Sequence, residues 1–224
     1  MEIKASGKPA NATRIDEWHS GFGWIAYPDE LIQRASHGLI HNGGIWLIDP
    51  LLTANLESMI TDYGEPVGIV ILSSLHTRDA VELAKQFEIP IHIPESLQIT
   101  PSTNTITFSE ELADTGFKPL KGVSLPWWQE VALYDGDTLL VGDMLGTAPY
   151  FTARDEEIGI HPLLRLFPPS KISKLTPERI LTGHGAGIME AGTEQLQTAF
   201  NHARLQIPQV WANGLKLVLK SLIL

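Results

Sequence analysis

The sequence predicts an α+β protein: a four-layer αβ/βα sandwich, two mixed β-sheets packed face to face with helices on their outer faces. Three observations point there. Strand-like segments dominate residues 21–49, helical and strand patterns alternate from 52 to 94, and strand patterns return from 117. The run 67–72, Val-Gly-Ile-Val-Ile-Leu, is apolar on both of its alternating faces, as a strand covered from both sides must be.

Residues 1–20 are polar and weakly patterned and read as a lead-in. Residues 21–27 suit a strand that Pro28 ends, and 31–40 is its return. His41-Asn42-Gly43-Gly44 signals a hairpin, because Asn-Gly accepts the positive φ values of a two-residue turn; 45–49 then continues as a buried strand ending in Asp49. Leu52, Leu56, Met59 and Ile60 fall at helical spacing until Gly64-Glu65-Pro66 breaks the pattern. After the strand at 67–72, residues 80–87 read as a helix, 89–93 as a short strand and 94–104 as a loop. Strands at 117–125 and 130–134 flank Pro126-Trp127-Trp128-Gln129. Asp135-Gly136-Asp137 is a turn, and 138–142 a strand finishing at Asp143. Pro162, Pro168 and Pro169 confine 144–178 to loop and short helix. A last strand, 179–182, runs into Gly183-His184-Gly185, and 193–205 is a helix. Over 209–224, Trp211, Leu215, Val218, Leu219 and Leu222 share one helical face, for docking on the domain or for subunit or membrane-surface contact.

The 224 residues carry no linker-like break and read as one domain. A net charge of −10 argues against nucleic acid or an anionic membrane as the main partner, leaving a small-molecule substrate or ligand, with a homo-oligomer through 209–224 as the other contact. There are no cysteines, so disulfides, thiolate metal sites and cysteine nucleophiles are excluded; any metal must be held by His, Asp or Glu. The N-terminus lacks the apolar core of a secretory signal, and no segment approaches the ~18 apolar residues of a membrane span, so the expected location is cytoplasmic.

Chemically capable residues gather after strands. Ser73, Ser74, His76, Arg78 and Asp79 follow the strand at 67–72, Asp143 follows the strand at 138–142, and His184 follows the strand at 179–182. In α/β sheets such strand ends are where ligands bind. Ser74, His76 and Asp79 have the residue types of a hydrolase triad, but on one turn they seldom converge. His37 and His41 read as surface or capping residues, His92 as a strand residue, and His19 and His202 as surface. His161, in the segment that should pass over the strand ends, is the best spare ligand or substrate contact.

The order strand-Leu-His-Thr-Arg-Asp, strand-Gly-Asp143, strand-Gly-His184-Gly resembles the metallo-β-lactamase superfamily over residues ~21–205. Asp49, at the end of 45–49, is similar to that family's early strand ending in Asp. The family's His-x-His-x-Asp-His signature falls on Ser74 to Asp79, keeping His76 but placing Ser74, Arg78 and Asp79 where the first His, the Asp and the last His would stand. A further family His falls on Trp127-Trp128. The resemblance therefore implies the fold but not the usual two-metal site.

What it leaves is His76, Asp79, Asp143 and His184, a set able to hold one divalent ion, Zn, Fe or Mn. Asp79 or Asp143 would orient a water for hydrolysis of a small ester, thioester or lactone. Ser74, Arg78, Trp127, Trp128 and His161 would line the pocket, with Tyr150 and Phe151 extending its apolar wall. The opposing reading has no metal: Arg78 pairs with Asp143 or Asp79, fills the cation's place and leaves a pseudoenzyme or small-molecule-binding protein.

Overall fold

The computed structural model describes residues 7, 9, 11–101, 104–153 and 155–212. Where only a lead-in was expected, β1 (Thr13–Trp18) pairs antiparallel with β2 (Gly21–Ile25). As an edge strand lying largely in water it needs no apolar alternation, so the sequence pattern does not announce it. β3 (Ala35–His41) and β4 (Gly44–Ile48) close around Asn42 and Gly43, at φ of 50° and 77°. The chain then alternates: α1 (Leu56–Thr61), β5 (Glu65–Val70), α2 (Ala80–Gln86), β6 (Ile91–Pro94) and β7 (Thr105–Phe108). These seven strands form one mixed sheet in sequence order, antiparallel up to β4 and parallel from β4 onwards.

β8 (Lys118–Leu125) and β9 (Trp128–Tyr134) make a hairpin whose turn is only Pro126-Trp127, so Trp128 and Gln129 belong to the strand rather than to the longer connection expected. β10 (Thr138–Val141) follows, then a two-residue pair, β11 (Leu145–Gly146) and β12 (Gly159–Ile160), β13 (Arg179–Thr182) and α3 (Gly192–His202). The second sheet runs β13-β10-β9-β8, with β10 and β13 parallel.

Strand alternation builds the four layers. Ile45, Leu47, Ile69 and Ile71 face α1 and α2, while Trp46, Ile48, Val70 and Leu72 face inward. In the second sheet Leu139 and Ile180 face α3, and Leu140 and Leu181 meet the first sheet. At one edge the main chains of the two sheets join: Ala35 N–H donates to Gly183 O (2.9 Å), Val131 N–H to Leu72 O (2.9 Å) and Ser74 N–H to Gln129 O (2.8 Å). The ends of β4, β5, β10 and β13 meet there. Of the helix expected over 209–224, residues 213–224 lie outside the described residues; 207–212 are helical. Among the described residues no helix is long and apolar enough to cross a membrane.

Candidate metal centre

Each central residue stands within a few residues of a strand end: Asp49 after β4, His76 beyond β5, Asp143 after β10 and His184 after β13. His76 Nε2, His184 Nε2 and the Asp143 carboxylate converge. The two nitrogens are 3.2 Å apart, His76 Nε2 lies 3.1 Å from Asp143 Oδ2, and His184 Nε2 lies 3.0 Å from Asp143 Oδ1. All three residues are almost fully buried.

The other ring nitrogens fix what these atoms can do. His184 Nδ1 is 2.7 Å from Ile32 O, which can only accept, so Nδ1 carries the proton. His76 Nδ1 is 2.7 Å from Asp49 Oδ2, with the same consequence. In its neutral form each ring would aim an Nε2 lone pair at the Asp143 carboxylate, an arrangement of mutually repelling acceptors that a cation or a proton relieves. One proton on His76 gives part of that relief: burial and Arg78 oppose it, but Asp143 and Asp49 hold the pKa up at about 9. Burial pulls His184 below its ordinary value, against Asp143. Burial likewise opposes the charge on Asp143, yet His76 and hydrogen bonds from His184 and His76 keep its carboxyl well below the usual range.

A tetrahedral ion with bonds of roughly 2.0–2.1 Å has neighbouring ligand atoms roughly 3.3 Å apart. With one ligand atom taken from each of His76, Asp143 and His184, the three lie within 4.8 Å of one another, close enough to converge on one ion, and Asp49 and Ile32 O behind the two rings supply hydrogen bonds of the kind that orient ligating histidines.

Arg78 neither bridges the acids nor turns aside. At φ 39° its guanidinium is held by main-chain carbonyls from both sheets: Nη1 donates to Ala35 O and Asp49 O (2.8 Å), and Nη2 to Gly183 O (3.0 Å). Nη2 also lies 3.2 Å from His76 Nε2. Burial lowers its pKa, with Asp49 and Asp143 opposing, and a guanidinium stays charged under such shifts. A fixed cation thus stands beside the cluster, and it disfavours a second ion there.

Three residues outside the ligand and pocket sets expected from the sequence support it. Asp49, at φ 44°, accepts Leu72 N–H at Oδ1 (2.8 Å) while holding His76 at Oδ2. Ser73 Oγ donates to Asp143 Oδ2 (2.9 Å). Glu130, fully buried in β9, accepts the N–H groups of Gly142 (2.9 Å), Asp143 (2.9 Å) and Met144 (3.0 Å) and the Trp128 indole N–H (3.1 Å), fixing the turn that aims Asp143. Burial and the Asp143 charge push its carboxyl up to about 8, against those donors. Asp49 carried a signal, an acid directly after a buried strand; a glutamate inside the apolar strand β9 carried none.

Of the residues expected at the site, Asp79 is not brought to the cluster. It stands at the start of α2, and its carboxylate accepts Leu52 N–H (2.8 Å). Ser74 Oγ accepts Gln129 N–H (3.0 Å), pinning β9 rather than facing the cluster. Trp128 is buried and Trp127 is 57% exposed beside it. His161 stacks edge-on with Trp128 and Phe151, and Phe151 stacks on His184.

Comparisons with known proteins agree with this architecture. No protein-family model and no curated protein sequence matches the chain. Solved structures do. The DIM-1 metallo-β-lactamase exposed to ceftazidime matches with a TM-score of 0.57 at 14% identity, covering 88% of this chain and 100% of that one. A putative diflavin flavoprotein fragment from Nostoc sp. matches with 0.63 at 15%, covering 90% and 98%. The metallo-β-lactamase FIM-1 from Pseudomonas aeruginosa, in a mono-zinc form, matches with 0.56 at 11%, covering 89% and 99%.

Proposed function

Because this chain has the metallo-β-lactamase fold, we propose that it is a one-metal hydrolase of a small ester, thioester or lactone. The observation that carries this reading is the convergence of the Nε2 atoms of His76 and His184 and the Asp143 carboxylate at 3.0–3.2 Å. His76, His184 and Asp143 would hold the ion, Zn, Fe or Mn, and the mono-zinc form of FIM-1 supports a single ion on this fold. When bound, the ion supplies Lewis-acid polarisation of a substrate carbonyl oxygen.

The rest is done by the chain's own groups. Asp49 and Ile32 O hold the two rings in register, and Glu130 and Ser73 hold Asp143. Asp143, anionic throughout the neutral range, accepts a hydrogen bond from the attacking water and orients it. Arg78 keeps a positive charge where negative charge develops on the substrate. Hydrolysis then forms a bond from the water oxygen to the acyl carbon, breaks that carbon's bond to the alcohol or thiol, and delivers the water's proton to the leaving atom.

One observation favours a second reading: the Arg78 N–H at His76 Nε2 competes with an ion for that lone pair, as a non-catalytic binding protein would tolerate. Metal content by plasma mass spectrometry, on protein purified without added metal or chelator, separates the two. About one equivalent, lost in His184→Ala, together with turnover in an ester, thioester and lactone screen, is the expected result. No metal after soaking with Zn, Mn and Fe overturns it in favour of the binding protein.

A further inference from the structure

The short pair β11–β12 has a positional consequence. β11 begins two residues after Asp143 and β12 ends one residue before His161, with Leu145 opposite Ile160. The pairing continues beyond the strands, since His161 N–H donates to Met144 O (3.0 Å), so His161 is set against the main chain that carries Asp143. The buried ion pair of Arg165 with Glu156, and the Arg165 hydrogen bond to Phe151 O (2.7 Å), fasten the same segment.

The His161 ring is fixed in one form. Its Nδ1 accepts Leu163 N–H (3.3 Å), so the neutral ring carries its proton on Nε2. That Nε2–H has no hydrogen-bond partner among the described residues. Burial pushes the ring's pKa down to about 4, with Asp143 opposing, so it stays neutral at ordinary pH. Around it runs an unbroken series of rings from solvent to the cluster. Trp127 lies 5.9 Å from Trp128, Trp128 4.8 Å from His161, His161 5.5 Å from Phe151 and Phe151 5.0 Å from His184. The outer end is apolar and exposed, with Trp127 57% and Leu163 60% accessible.

We infer that His161 is a substrate-binding donor, its Nε2–H hydrogen-bonded to the substrate's carbonyl oxygen, and that the substrate is an uncharged acyl compound whose apolar chain lies along the Trp127–Trp128 wall. The inference deepens the hydrolase reading and rests on it for the reaction, but not for the recognition. A neutral donor suits a neutral carbonyl, and nothing on the ring wall favours an anionic chain. Removing a donor of this kind from a developing oxyanion costs on the order of 10²-fold in kcat.

The test uses octanamide and acetamide, amides with the same carbonyl that resist hydrolysis, titrated by calorimetry into the full-length protein as purified. Octanamide is expected to bind more tightly, by about fourfold for each methylene that lies on the wall. Trp127→Ala should shrink that chain-length gap. His161→Phe keeps a ring but no donor, and should weaken both amides by about fivefold, the worth of one neutral hydrogen bond; His161→Gln, which retains an N–H, should recover part of the loss. With para-nitrophenyl octanoate, His161→Phe should lower kcat more than it raises KM. Unchanged amide affinity in His161→Phe, or a chain-length gap indifferent to Trp127→Ala, overturns the inference. His161-dependent amide binding without turnover of any ester would instead sink the hydrolase reading and leave the recognition standing.

Discussion

Asp49 touches no substrate in this scheme, yet one carboxylate determines how His76 presents itself. With Oδ1 on Leu72 N–H and Oδ2 on His76 Nδ1, it fixes both the tautomer and the ring angle. Asp49→Asn keeps the volume and loses the charge, so Zn affinity should fall by about 10–100-fold, read by competition with a chromophoric chelator. His161 gives a pH signature. Its pKa is about 4 in the folded protein and roughly 6.5 in the unfolded chain, so between these values the unfolded chain binds more protons and stability rises with pH. The urea midpoint should fall from pH 6.5 towards 4, and less steeply in His161→Phe; equal slopes would remove His161 from the account. His76, Asp143 and His184 were legible in the sequence because each stands as a polar residue just past an apolar strand. Asp79 misled for the same reason: it is in the same polar cluster, but the start of α2 turns it to Leu52. Glu130 could not be read at all, since an acid inside an apolar strand gives no sign of the N–H groups waiting for it.

Among the elements, the hairpin at Asn42-Gly43 and the four strands that end at the site were visible because apolar runs and turn residues agree there. β1 and β7 were not, because an edge strand and a half-buried one lack the pattern that a core imposes. The segment between β11 and β12 is the least regular part near the site and the most dependent on one contact. Arg165 is wholly buried, and its two terminal nitrogens, though not Nε, are paired with Glu156 and Phe151 O. Arg165→Met strands the Glu156 charge in the interior and should cost about 3–5 kcal/mol in guanidinium chloride unfolding, whereas replacing both residues with leucine should cost much less. If the single and double variants are equally destabilised, the pair is not what holds this segment.

At the scale of the molecule, two sheets packed through one inner core are joined by main-chain hydrogen bonds at one edge, and the candidate site consists of what their strands deliver there. The four layers could be anticipated from the order of strand and helix patterns; how the two sheets are stitched together could not, because main-chain hydrogen bonds leave no trace in residue types. An ion bound across that edge should stabilise the fold as a whole, by about 2.7 kcal/mol at a hundred times its Kd. The melting temperature should rise with Zn in the parent protein and stay put in His184→Ala; a rise in both would mean the ion binds elsewhere. Arg78 adds a different kind of security. Its charge is anchored to carbonyls of both sheets and made with the chain itself, so no scarcity in the surroundings can withhold it and no sequestering agent can strip it out. A protein built this way would compete for a scarce nutrient only once per molecule.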